Sequence, residues 1–183
     1  MKHPPINFNE KFLQLAKLGA ADFQHLNGNL IEHLKGTRDI LASWSASEIL
    51  QDAGLYHAAY GTAGFEQQMV SVEQRAKIAN LIGSSAEEVV YQYCACDRAY
   101  FWPKLRLETN PSFRNRFNGE IYSLKPQMLK DFCELTVANE LEIESKQPGS
   151  ITVGGQLHTM FLSMRSLLSS AANKSIKSMI VQN

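Results

Sequence analysis

The chain has 183 residues, 18 Lys plus Arg against 18 Asp plus Glu, and 44% hydrophobic residues. It is too apolar for a disordered segment and lacks the basic excess of a dedicated nucleic-acid binder. Its length fits one domain that buries roughly two-thirds of the surface exposed by the unfolded chain.

The N-terminal MKHPPINFN has no apolar run after Lys2, so no secretory leader is expected there. Phe12, Leu13, Leu15, Ala16 and Leu18 predict a first amphipathic helix. A second is expected over residues 29–44, with Leu26, Leu30, Leu34, Thr37, Ile40, Leu41 and Trp44 forming one apolar stripe. Ser45 and Glu48 have capping-box spacing and predict a third helix to about Tyr60. Ser71 with Gln74 repeats the signal for a helix that Gly83 stops. Ser84 with Glu87 repeats it again before a long helix over 86–102, which Pro103 is expected to end.

Residues 104–123 are polar and read as a long loop or a small hairpin of 113–117 with 120–122 around Asn118-Gly119. Helix resumes at Pro126, an acceptable first-turn proline, and runs to about Glu144. A last helix is expected over 156–172, with a frayed tail after Asn173. The expectation is one all-α domain, 1–183, of about six or seven helices. No stretch approaches the ~18 apolar residues of a membrane span. Cys94, Cys96 and Cys133 are odd in number and fit neither a disulfide framework nor zinc spacing. They read as buried reduced thiols in a cytoplasmic protein.

Chemistry points to the histidines. His33 falls inside the apolar stripe of its helix, and His57 beside Ile49, Ala53, Tyr56 and Tyr60 on the next. Two antiparallel helices would bring these imidazoles together, with His25 near the edge of the same face. Imidazole is the commonest metal ligand and general base. A pair of core histidines holds a metal only if further ligands converge. The plainer alternative is hydrogen-bonded core histidines.

His33 followed by Asp52-Ala53-Gly54-Leu55-Tyr56-His57 resembles the HD-domain superfamily, in which a histidine on one helix precedes an A-x-L-x-H-D element on the next. Tyr60-Gly61-Thr62, Leu81-Ile82-Gly83, Ala86-Glu87-Glu88-Val89-Val90 and Leu135-Thr136-Val137-Ala138-Asn139-Glu140-Leu141 are similar to its alarmone-hydrolase branch. The segments His25-Leu26-Asn27-Gly28-Asn29 and Glu32-His33-Leu34-Lys35-Gly36-Thr37 also resemble an HD-like family of bacteria and plants to which we know no assigned reaction. The resemblance covers about residues 20–145. It implies an HD-like helical bundle and a metal-dependent phosphohydrolase or, as in relatives with iron pairs, an oxygenase.

The family's two metal-binding aspartates are replaced by Ala58 and Asn139. A methyl group ligates nothing, and an amide oxygen is a weaker ligand than a carboxylate. Three outcomes stay open. His25, Glu32, Glu66, Glu87, Asp97 or Glu140 rebuilds the site; a His25–His33–His57 set would favour zinc or iron over magnesium. Alternatively, a metal-free pocket uses His33 and His57 as acid–base groups, with Asn139 or Tyr60 orienting a substrate. In the third outcome the domain is non-catalytic and regulatory. The expected partner is a small molecule, anionic if one of Arg75, Arg98, Lys104, Arg106, Arg114 and Arg116 reaches the pocket. No nucleic-acid or membrane partner is expected, and homo-oligomerisation stays open.

Overall fold

Asn29 opens the helix that carries His33. Its side chain accepts from the Ile31 N–H at 3.2 Å, and α2 then runs Leu30–Ser43, satisfying one of the orphan donors of a helix start. The computed structural model describes residues 6–20, 24–25, 28–149 and 151–182. Before α2 come α1, Phe8–Leu15, and a π-helical turn, Ala16–Ala20, where Gly19 takes φ 94°. That left-handed angle suits glycine and bends the chain. A short antiparallel pair, β1 Gln24–His25 with β2 Gly28–Asn29, leads into α2. Leu26 lies outside the described residues.

α3 spans Glu48–Tyr56, and Ser47 rather than Ser45 caps it, accepting from Leu50 N–H at 3.2 Å. Ser45 takes φ 57° in the preceding turn, whereas a capping residue needs extended geometry. The helix ends at Tyr56, four residues before the expected end, with His57 as its C-cap. A 3₁₀ turn, Val72–Gln74, precedes α4, Arg75–Ile82; Ser71 makes no side-chain cap there. Gly83, at φ 83°, ends α4 and begins α5, Ser84–Ala95.

The long helix expected over 86–102 is in fact two. Cys96 leaves the helix to bridge Asn115, and Asp97 caps α6, Arg98–Leu107, by accepting from Tyr100 N–H at 3.1 Å. Pro103 lies inside α6 instead of ending it, at the cost of the backbone bond a proline cannot make. The hairpin forms as β3 Ser112–Arg114 with β4 Ile121–Ser123, pairing Phe113 with Tyr122. Gly119, at φ 78°, completes its turn.

α7, Pro126–Lys146, is the longest described helix. α8, Gln156–Met164, is followed by a break and then α9, Ser170–Gln182. The segment after Asn173 is therefore helical rather than frayed. Ser169 starts it by donating to Glu134 Oε1 at 2.6 Å and accepting from Ala172 N–H at 3.1 Å. Ile176 is buried, and Trp44 Nε1–H donates to Ser175 at 2.9 Å.

The architecture is helical with two two-stranded hairpins among the described residues. α2 packs on α3 and α7, and α3 packs on α5. Leu34, Leu41, Leu55 and Leu135 are fully buried between them, each stabilising the fold by roughly 1.5–3 kcal/mol. Phe101, Phe113 and Phe132 stack edge-to-face, with centroids 5.4–6.1 Å apart, and anchor α6 and the hairpin to α7. No described helix is long and apolar enough to cross a membrane.

Candidate functional site

α2, α3 and α7 converge on a group of buried polar side chains. His33 comes from α2, His57 from the end of α3, and Asn139 and Glu142 from one face of α7. Asn139 and Glu142 share that face because residues three apart on a helix are neighbours.

His33 Nδ1–H donates to Glu142 Oε2. His57 Nδ1–H donates to the Gly54 carbonyl at 2.8 Å. Both contacts are to acceptors, so each Nδ1 carries a proton, which makes Nε2 the lone-pair position in the neutral tautomer. The two Nε2 atoms stand 3.2 Å apart, with the rings edge-on at 82°. Asn139 Oδ1 lies 3.1 Å from His33 Nε2. Asn139 Nδ2–H donates to Glu140 at 3.1 Å, which turns the amide oxygen toward the histidines.

Glu142 is buried, and a neighbouring glycine makes room for it. A Cβ on Gly36 would lie 2.8 Å from its Cγ and Oε1. Burial alone raises the Glu142 carboxyl, but the His33 hydrogen bond and the Lys146 ammonium, 2.6 Å from Oε1, outweigh it and hold the carboxyl below its ordinary range. Burial pushes the Glu140 carboxyl up, against the opposing pull of Arg98 and Asn139.

A cavity of about 190 Å³ opens on this group. Its polar lining is His33, His57, Asn139, Glu140, Arg98 and Thr62; Leu30, Ala58, Phe65 and Ile143 supply apolar wall. A larger groove of about 460 Å³, lined by Trp102, Arg106, Leu157 and Met160, contains none of these polar groups.

The structure thus brings together His33, His57 and Asn139. It does not bring Tyr60 to them: the Tyr60 hydroxyl donates to Glu87 at 2.7 Å, and Glu87 is also held by Arg75. His25 lies in β1, and its side chain is outside the described residues. Glu32 and Glu66 are exposed. Asp97 is engaged by Arg114, with contacts of 2.6 and 2.9 Å, rather than by its neighbour Arg98. Of the carboxylates considered as replacement ligands, Glu140 is the one that lines the cavity.

Two residues escaped the reading of the sequence as site groups: Glu142, and Arg98 as the particular arginine at the cavity. Two signals pointed to Glu142, namely its helical spacing from Asn139 and a glycine inside α2, where glycine costs about 1 kcal/mol.

The cysteines are buried thiols. Burial pushes Cys94 and Cys133 up to about 12 and raises Cys96 as well, the direction that disfavours a thiolate.

Two imidazole nitrogens and an amide oxygen form a donor set. Two ligands bound at about 2.0–2.1 Å to one tetrahedral ion stand roughly 3.3 Å apart; the separations of 3.2 and 3.1 Å are close to that. Among the described residues, no group of three or more His, Cys, Asp or Glu is placed to hold a metal. Any ion here would draw on Asn139.

Residues 14–98 match the model of a protein family described as a domain of unknown function (DUF6817). The matched segment carries His33, His57 and Arg98 and stops short of Asn139, Glu140 and Glu142. No curated protein and no solved structure matches the chain.

Proposed function

We propose that this cavity is the active site of a small HD-like enzyme that uses a divalent transition metal, with hydrolysis of a small phosphate ester as the leading chemistry. One observation carries the reading. The Nε2 atoms of His33 and His57 and the Oδ1 of Asn139 converge at 3.1–3.2 Å, while both Nδ1–H groups are committed elsewhere.

His33, His57 and Asn139 would hold the ion. Nitrogen donors without a carboxylate favour zinc or iron over magnesium. Such an ion supplies Lewis acidity and makes water a stronger acid. Glu142 and the Gly54 carbonyl fix the tautomers that expose Nε2, the role outer partners take around metal-binding histidines. Leu30, Ala58, Phe65 and Ile143 limit water at the cavity wall. Glu140 orients Asn139 and is held toward its protonated form, so it is suited to giving a proton to a leaving oxygen.

The second reading is a non-catalytic HD-like ligand-binding domain. Ala58 favours it, because two imidazoles and an amide leave a dication uncompensated within the donor set.

The test is elemental analysis and zinc or iron titration of the purified protein beside His33→Ala and His57→Ala. Stoichiometric metal in the wild type, lost in both variants while the far-UV spectrum holds, supports the enzyme. Wild-type protein that stays folded in chelator and takes up no metal on titration leaves the ligand-binding reading.

A further inference from the structure

The cavity contains a cation that the three converging groups do not use. Arg98, the first residue of α6, lines the cavity. A guanidinium has five N–H donors in a planar fork. Arg98 directs one terminal nitrogen to Tyr93 Oη at 3.2 Å and forms no ion pair among the described residues. Arg75 and Arg114 differ in each holding a carboxylate at 2.6–2.7 Å. The nearest carboxyl on this wall, Glu140, is instead bonded to Asn139. Arg98 is held from below by the Tyr93 ring, 5.4 Å from its Cζ. The turn after α3 brings Gly64, without a side chain, up to Nη1: even an added Cβ would stand 3.9 Å away.

A positioned guanidinium with free donors, facing a cavity, is built to bind an oxyanion through two parallel hydrogen bonds. Two features narrow the ligand. A volume of about 190 Å³ falls below the roughly 300–1,000 Å³ of ordinary ligand pockets. It admits a small molecule or one end of a larger one, and not an enclosed nucleotide. Ala58, on the same wall, brings no charge to it, whereas an aspartate there would repel any anion.

We propose that Arg98 is the oxyanion-binding residue of this cavity and takes a group with two equivalent oxygens, a phosphodiester or a carboxylate. The site shares its cavity with the metal reading above and rests on that cavity being the functional one, but Arg98 binds the anion whether or not a metal is present.

The experiment is calorimetric titration of dimethyl phosphate, acetate and inorganic phosphate into the wild type, Arg98→Gln and Arg98→Lys, each after chelator treatment and again with added zinc. The expected result is one site for dimethyl phosphate or acetate, with inorganic phosphate as the free-ion control. Arg98→Gln should bind about 10–100-fold more weakly, and Arg98→Lys should fall between. The two monoanions identify which source of the oxyanion fits. Equal binding by Arg98→Gln, binding of inorganic phosphate alone, or no binding in either state would overturn the proposal. Anion binding that needs zinc and ignores Arg98 would overturn it and leave the metal reading intact. Binding that depends on Arg98 in protein that takes up no metal would do the reverse. If Arg98→Gln fails to fold, Arg98→Lys, which keeps the charge and loses the fork, decides.

Discussion

Gly36 and Glu142 meet where α2 packs on α7, and a methyl group at Gly36 would come within 2.8 Å of the Glu142 Cγ and Oε1. The missing side chain makes room for a buried carboxylate that reaches across to His33. Gly36→Ala gains about 1 kcal/mol of helix propensity and meets an overpacking cost of about 1–3 kcal/mol. We expect a net loss of up to about 2 kcal/mol in urea unfolding. If the variant is instead more stable than the wild type, Glu142 yields freely and its position is not tightly held.

Glu142→Gln separates charge from shape. A glutamine fills the same space and presents an amide to His33 Nδ1 in place of a carboxylate. Under the metal reading, affinity for zinc should drop about 10–100-fold, as for other outer partners of metal-binding histidines. Nitrogen-15 NMR of the imidazoles offers a second readout, in which the His33 tautomer signal weakens while that of His57, fixed by Gly54, does not. Unchanged affinity together with an unchanged His33 signal would remove Glu142 from the site.

Much of this was legible in the chain because it is local. Asn29 capping α2, Gly83 ending α4, the Asn118-Gly119 turn and the Pro126 start are each written in neighbouring residues. His33 and His57 were legible as a pair because the stripe on each helix points them into one core. What escaped was set at long range. The break at Cys96–Asp97 depends on Asn115 and Arg114 of the hairpin. α9 depends on Glu134 and Trp44, contacts that 156–172 read in isolation could not show. Glu142 meets His33 across 109 positions. Tyr60 stands close to His57 in sequence, yet its hydroxyl goes to Glu87.

That Tyr60–Glu87–Arg75 network is a stability element, and its removal has a sign that depends on which member goes. Glu87 is buried and takes Arg75 on both oxygens at 2.7 Å. Breaking a fully buried pair by removing one partner costs about 3–5 kcal/mol. Arg75 is partly exposed, so Arg75→Met should cost about 2–3 kcal/mol by the same reasoning. Adding Glu87→Gln, which keeps an acceptor for Tyr60, should restore more than half. A double variant no more stable than the single one would show that the loss comes from Arg75 packing on Tyr91, 3.8 Å away, and not from a stranded charge.

Asp97 caps α6 and pairs with Arg114. Burial alone raises its carboxyl, yet the Arg114 guanidinium and the Tyr100 and Ala99 N–H groups hold it below its ordinary 3.8. A carboxyl lowered in the fold stabilises above its unfolded value and loses that contribution as pH falls through the folded one. Asp97→Asn retains a capping oxygen and removes the charge. The wild type should melt about 1–4 °C above the variant at pH 7, from roughly 0.5–1 kcal/mol. The gap should close below about pH 4, the usual carboxylate range. A gap that persists at pH 3 would assign the effect to geometry.

Ala58 gives the sharpest handle on the metal reading, because it lines the cavity, is buried, and follows His57 directly. Ala58→Asp adds a carboxylate where the donor set has none. Without metal, the change buries an unpaired acid and should destabilise the protein by about 1–3 kcal/mol. With zinc or manganese, the added ligand should tighten binding at least about tenfold, and by linkage raise the melting temperature of the loaded form relative to the metal-free form. The same carboxylate should weaken acetate binding at Arg98, by repulsion across the cavity. The two readings therefore diverge in one variant. A domain that binds only anions loses affinity and gains nothing from metal, whereas a metal site weakened by Ala58 recovers. If thermal unfolding of Ala58→Asp ignores both zinc and manganese, the convergence of His33, His57 and Asn139 serves the packing of α2, α3 and α7 and not an ion.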